Sequence, residues 1–197
     1  MLRIAKIATA LAVPVLMAAC AHPITLKSNL DKISTVQASQ KIDKSVGYYI
    51  DPASLNTEVT TGGGGGDKVK YSPYQDIEPG FYKVLSNVFK DVNRLKSPQE
   101  KELITKYDIS LIFTPLILTN SSSPSPFTWP PTKFTTELTC KITDKNGQLV
   151  VEKKVVGDGA AEFEEFKLDH SLSARRSTED LLQKLQKVLL ETPELRK

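Results

Sequence analysis

Apolar residues alternate with polar ones in two stretches of the chain and follow a helical period in two others. Tyr107, Ile109, Leu111 and Phe113 alternate with Asp108, Ser110, Ile112 and Thr114, which predicts a strand. Ile112 adds an apolar side chain to the second face, as a central strand requires. Pro115 cannot donate to a ladder, so a bulge or an edge is expected further along, with the strand leaving the sheet near there. Further on, Phe134, Leu138, Cys140 and Ile142 share one face, with Thr135, Glu137, Thr139, Lys141 and Thr143 on the other. Asn146-Gly147 suits a two-residue hairpin turn. Used as such, it sets Ile142 opposite Val151 and Leu138 opposite Val155, with Lys153 facing Cys140. Ser45 to Asp51, aromatic and β-branched and closed by Pro52, predicts one more strand.

Phe81, Val84, Leu85, Val88, Phe89, Val92 and Leu95 form one stripe of an amphipathic helix, with Pro79 suited to its first turn. Ser97-Pro98-Gln99-Glu100 matches a capping box that would open a second, short helix. A last helix is predicted from about Ser171 to Glu191, its buried side formed by Ala174, Thr178, Leu181, Leu182, Leu185, Val188 and Leu189. Together these predict an α+β fold, a largely antiparallel sheet of about four strands with two main helices packed on one face.

Ahead of these elements the pattern changes. Arg3 and Lys6 precede an apolar run from Ile7 to Met17 and the small pair Ala18-Ala19, the layout of a secretory signal. The run is about half the ~20 apolar residues of a spanning helix and contains Pro14. The residues "LMAAC", ending at Cys20, resemble the lipobox of bacterial lipoproteins, with Met17 where that family usually has Leu. The resemblance implies cleavage before Cys20 and acylation of its thiol by more than one chain. At about 0.8 kcal/mol per buried methylene, two or more chains anchor stably. Ala21, rather than an aspartate, follows the cysteine. In that family this implies the outer membrane, facing the periplasm; the inner membrane and the cell surface are the other destinations. The expected organisation is a lipoprotein signal peptide at 1–19, a lipid-anchored tether at 20–40 whose latter half lies on the fold, and a single α+β domain at 41–197. A flexible Gly-rich loop is expected at 60–68, where Gly62 to Gly66 run consecutively. It lacks the Gly-Lys-Ser/Thr of a phosphate-binding loop.

Charge and composition then narrow the function. The formal net charge is +3, of which Arg3 and Lys6 supply two, leaving +1 after the signal. That balance offers nothing to a nucleic acid. Two cysteines and two histidines leave no zinc set, and neither a metal nor a cofactor is expected. If Cys20 carries lipid, Cys140 has no disulfide partner and reads as a buried small hydrophobe.

Asp169-His170-Ser171 contains triad residue types, but consecutive residues point in different directions, so Asp169 or Ser171 reads as a helix cap. Asp158, Glu162, Glu164 and Glu165 lack glycosidase or calcium-loop spacing and read as a solvated strand edge. The segment from Asn120 to Phe134 joins two strands and is stiffened by proline. Its Phe127, Trp129, Pro130 and Pro131 are the candidate contact with a protein partner. The expected function is a lipid-anchored, non-enzymatic binding or accessory component of the cell envelope. The alternatives are a carrier of lipid or another hydrophobic ligand and, third, an envelope hydrolase.

Overall fold

The computed structural model describes residues 21–62, 68–123 and 132–197. In its main sheet, strand β2 (Ile42–Tyr48) pairs in parallel with β5 (Phe89–Arg94) on one side and β6 (Ile109–Ser122) on the other. Strands β7 (Lys133–Asp144) and β8 (Leu149–Ala160) extend the sheet antiparallel from β6, in the order β5-β2-β6-β7-β8. A second sheet joins β1 (Ala21–Pro23), β4 (Lys68–Tyr71) and β3 (Val59–Gly62) in that order. The α+β class holds, and the sheet arrangement differs from the expectation: the main sheet has five strands and mixed direction, and a second sheet of three stands beside it. The parallel half arises because the chain crosses from β2 to β5 by way of the one-turn helix α1 (Pro52–Leu55) and the long helix α2 (Pro73–Val88), and from β5 to β6 through α3 (Lys101–Lys106).

α2 begins at Pro73, two turns before the position that Pro79 suggested, so Pro79 sits inside the helix. The helical stripe also ends early. Phe89 and Val92 lie in β5 and Leu95 just beyond it, where the Leu95 amide donates to the Tyr48 carbonyl at 2.8 Å. Phe89 is fully buried and its ring meets that of Phe113 at 5.2 Å. The edge of β2 needs a partner for its peptide groups, and a ladder to β5 satisfies them where a longer helix would not. α3 starts at Lys101, because Ser97 to Glu100 form a turn in which the Glu100 amide donates to the Ser97 carbonyl.

α2 and the last helix, α5 (Leu172–Leu190), pack on one face of the main sheet around Phe81, Leu85, Phe113, Phe134, Leu138 and Leu181. The opposite face has a smaller cluster of Leu95, Ile104, Ile109 and Ile112 beneath α3. Gly47 makes that cluster feasible, since a Cβ there would come within 2.7 Å of Leu95 Cδ1.

Strand β6 does not leave the sheet at Pro115. It pairs with β7 as far as Ser122, while its pairing with β2 stops at Phe113. Proline therefore stands where β6 becomes an edge on one side and no amide is needed. The β7–β8 register is the predicted one, with Ile142 opposite Val151, Leu138 opposite Val155 and Cys140 opposite Lys153. The turn is longer than two residues. The Gly147 amide donates to the Asp144 carbonyl, Gly147 takes φ 83°, and a register shift between Ile142 and Thr143 absorbs the extra residue.

Residues 21–36, expected as a tether, form a strap across α2 and α5. Asp76 accepts the Leu26 amide at 2.8 Å and the Thr25 hydroxyl at 3.0 Å. Asn87 and Gln186 both donate to the Ser34 carbonyl. Ile24, Leu26, Ile33 and Val36 are buried beneath the strap. Their burial explains why apolar residues punctuate an otherwise polar stretch.

Candidate functional site

Three chain connections open at one pole of the molecule. Ala21, the first described residue, pairs with Lys68 at the start of β4, and Lys68 pairs with Gly62 at the end of β3. The Ser121 hydroxyl donates to the Gly62 carbonyl at 2.7 Å and lies 2.6 Å from the Thr61 hydroxyl, which ties the β3–β4 hairpin to the end of β6. Ser122 pairs with Lys133, Lys133 with Ala160, and the Ala161 amide donates to the Thr132 carbonyl. The short helix α4 (Phe163–Leu168) follows directly, so it belongs to the same pole. From the other side, the Thr25 amide donates to the Ser171 hydroxyl at 3.0 Å, which fixes the strap to the start of α5.

Electrostatics hold α4 in place. Glu162 and Glu165 form a reciprocal capping box at its start. Arg176 of α5 donates to both Glu165 carboxylate oxygens, at 2.8 and 2.9 Å, and to the Ala160 carbonyl at 2.8 Å. Those guanidinium bonds, with the Glu162 amide, pull the Glu165 carboxyl down to about 2. Phe166 turns inward and is buried, while Phe163 is 55% exposed and Leu168 91% exposed. Lys167 lies 4.9 Å above the Phe163 ring and 2.7 Å from Glu164. Phe163 and Leu168 do not stand out in the sequence, where the acidic run around them has the composition of a solvated strand edge. The usable signal was Phe163 and Phe166 at i and i+3 after the end of a strand.

The residues singled out from sequence are distributed unevenly. Cys20, Phe127, Trp129, Pro130 and Pro131 lie outside the described residues, as do 1–19 and positions 63–67 of the Gly-rich loop. Thr60, Thr61 and Gly62 belong to β3 and Lys68 to β4. Cys140 is fully buried, and burial pushes its thiol well above the usual range, with the Glu152 charge adding to the effect. Asp169 ion-pairs with Arg175 and accepts the Ser171 amide. Ser171 is the N-cap residue of α5, with its hydroxyl turned to Thr25 rather than to the helix. Glu164 and Glu165 lie in α4 and Glu162 caps it, correcting their placement on a strand edge; Asp158 is in β8.

Away from this pole, Tyr48 donates to Glu78 at 3.1 Å, and Arg94 reaches the same carboxylate at 3.0 Å. Burial, then Glu78, pushes the Tyr48 hydroxyl upward. A recess of ≈ 530 Å³ over β5 is lined by Lys41, Tyr82, Lys90, Asp91 and Tyr107 among others. Among the described residues no group of three or more His, Cys, Asp or Glu side chains could hold a metal ion. No helix among them is long and apolar enough to cross a membrane.

No family model and no curated protein matches the chain. Among solved structures it is similar to protein XCC0632 from Xanthomonas campestris, described by the family label DUF330, at 10% identity over 87% of this chain and 92% of that one, with a TM-score of 0.48. It is also similar to a Caulobacter crescentus chain described as a candidate lipoprotein, at 11% identity over 47% of this chain and 78% of that one, with a TM-score of 0.28. At these levels neither likeness assigns an activity.

Proposed function

We propose that this chain is an envelope lipoprotein, acylated on Cys20 at the outer membrane and facing the periplasm, where it serves as a non-enzymatic binding or accessory component for a protein partner. The observation that carries this reading is that Ala21, which directly follows the lipobox-like cysteine, is already paired with Lys68 in a sheet. A domain joined so closely to its anchor is held at a fixed place on the membrane, which suits a component that positions a partner. The polar groups with enzymatic residue types support the same reading. Asp169, Glu165 and Glu78 are each engaged by an arginine, and Cys140 is buried. Against a hydrophobic-ligand carrier stands the helix–sheet interface, filled by fully buried Phe81, Phe89, Phe113 and Phe134.

Two measurements test the proposal. Mass analysis of the mature protein should find acyl chains on an amino-terminal Cys20; an unmodified cysteine there would sink the anchor. Crosslinking and pull-down from intact membranes should recover a partner with wild type and lose it with Cys20→Ala. Phe127, Trp129, Pro130 and Pro131 are proposed as partner contacts because stiff aromatics lose little entropy on binding. Trp129→Ala is then expected to weaken co-purification while leaving the melting temperature nearly unchanged, and a lowered melting temperature without partner loss would reassign Trp129 to the core.

A further inference from the structure

We propose that the pole formed by Ala21, Gly62, Lys68, Lys133 and α4 is the face of the domain that lies on the membrane, with Phe163 and Leu168 seated in the lipid interface. This rests on the reading of Cys20 as an acylated anchor. One peptide bond joins Cys20 to Ala21, and consecutive Cα atoms are about 3.8 Å apart. Ala21 is already in the ladder with Lys68, so hardly any chain is left to lift the pole away from the headgroups, and a partner that meets the segment between Ser123 and Thr132 would do so beside the membrane.

What the pole presents fits that position. Leu168, 91% exposed, and Phe163, 55% exposed, stand outward from α4 while Phe166 anchors the helix to the domain. Removing such side chains from water is favourable, and lipid provides the place to do it. Lys167 lies over the Phe163 ring and pairs with Glu164, and its long stem keeps that charged pair at headgroup level while the ring sits deeper. Lys68 and Lys133, both exposed at strand ends of this pole, offset the exposed Glu162 and Glu164 at the start of α4 toward anionic headgroups, so the apolar side chains carry the contact. Exposure alone does not single out the site, because Leu149 is 59% exposed at the far end beside the β7–β8 turn. The coincidence of outward apolar side chains with the place where the anchor enters does.

The test uses the full acylated chain in vesicles of phosphatidylethanolamine and phosphatidylglycerol, with acylation first confirmed by mass. An environment-sensitive fluorophore is placed on Leu168→Cys, and on Lys145→Cys in the distant turn as control; buried Cys140 does not compete for label. The Leu168 probe is expected to shift to the blue and to be quenched several-fold more than the Lys145 probe by lipids brominated on their acyl chains. Equal, weak quenching of both probes on acylated, vesicle-bound protein would overturn the docked pole and leave the anchor standing. An unmodified Cys20 would overturn both. A blue shift present in detergent without vesicles, growing with protein concentration, would assign the patch to a second copy of the chain and overturn the proposal as well.

Discussion

Cys140 shows how one buried side chain couples to the stability of the whole chain. Its thiol is fully buried on the helix-facing side of β7, opposite Pro115 and Lys153, and burial holds it protonated well above the usual thiol range. In the unfolded chain a cysteine ionises near 8.5, so above about that pH the unfolded state binds fewer protons than the folded one. The stabilising contribution is therefore complete below the ordinary thiol value and is lost as pH rises beyond it, by at most about 1.4 kcal/mol per unit. Urea unfolding measured from neutral to alkaline pH should show this slope in wild type and not in Cys140→Ala, and a thiol reagent should label Cys140 only after denaturant is added. Glu165 has the opposite sign: lowered to about 2 by Arg176, it contributes above the ordinary carboxylate range and loses that contribution as pH falls. Cys140 was legible in the sequence because strict alternation puts it between Leu138 and Ile142. The Glu165 pair was not, because Arg176 lies on another helix and nothing local in the acidic run points to it.

Between elements, the decisive contact is α5 against β8. Gly157 and Gly159 face α5 so closely that a Cβ at Gly157 would overlap the Ser177 carbonyl oxygen, and one at Gly159 that of Ser173. The obstacle in both cases is helix backbone, which cannot rotate away as a side chain could. The Ser177 hydroxyl uses the same proximity, lying 2.9 Å from that of Thr136 and 2.8 Å from the Gly157 carbonyl. Gly157→Ala and Gly159→Ala are each expected to cost about 3 kcal/mol, read as a lowered denaturant midpoint, because α5 must move off the sheet. Gly62→Ala is the control, since nothing lies within 4 Å of a Cβ there. The β7–β8 register could be derived in advance because two alternating stretches flank a strong turn signal, and a slip of one residue would turn both apolar faces to water. The end of α2 could not be derived. Phe89, Val92 and Leu95 continue a helical stripe just as well as they populate a strand, and only the need of β2 for a second neighbour, distant in sequence, decides between them.

For the molecule as a whole, the strap of residues 21–36 changes what an anchor at Cys20 would be joined to. Isolated Ile24, Leu26, Ile33 and Val36 show no period because a strap follows the groove between two helices rather than its own repeat. Sequence patterning therefore marks it as a tether even though each of these side chains is buried. The same reasoning separates the two parts of the candidate site. The proposed anchor at Cys20 rests on a local signature, whereas the pole around α4 depends on β1, β4, β3, β6, β7 and β8 meeting side by side. If the strap is part of the fold, its deepest side chain should matter as much as a core residue. Leu26 is fully buried, with its amide held by Asp76, so Leu26→Ala is expected to cost about 2–5 kcal/mol. For a chain of this size that corresponds to a melting temperature lower by roughly 10 °C. Leu30→Ala, at a position 38% exposed on the same strap, should shift it far less. Thermal unfolding followed by circular dichroism compares the two. Equal, small shifts would mean that residues 21–36 hang free of α2 and α5, and the proposed docking of the pole would lose its short connection to Cys20.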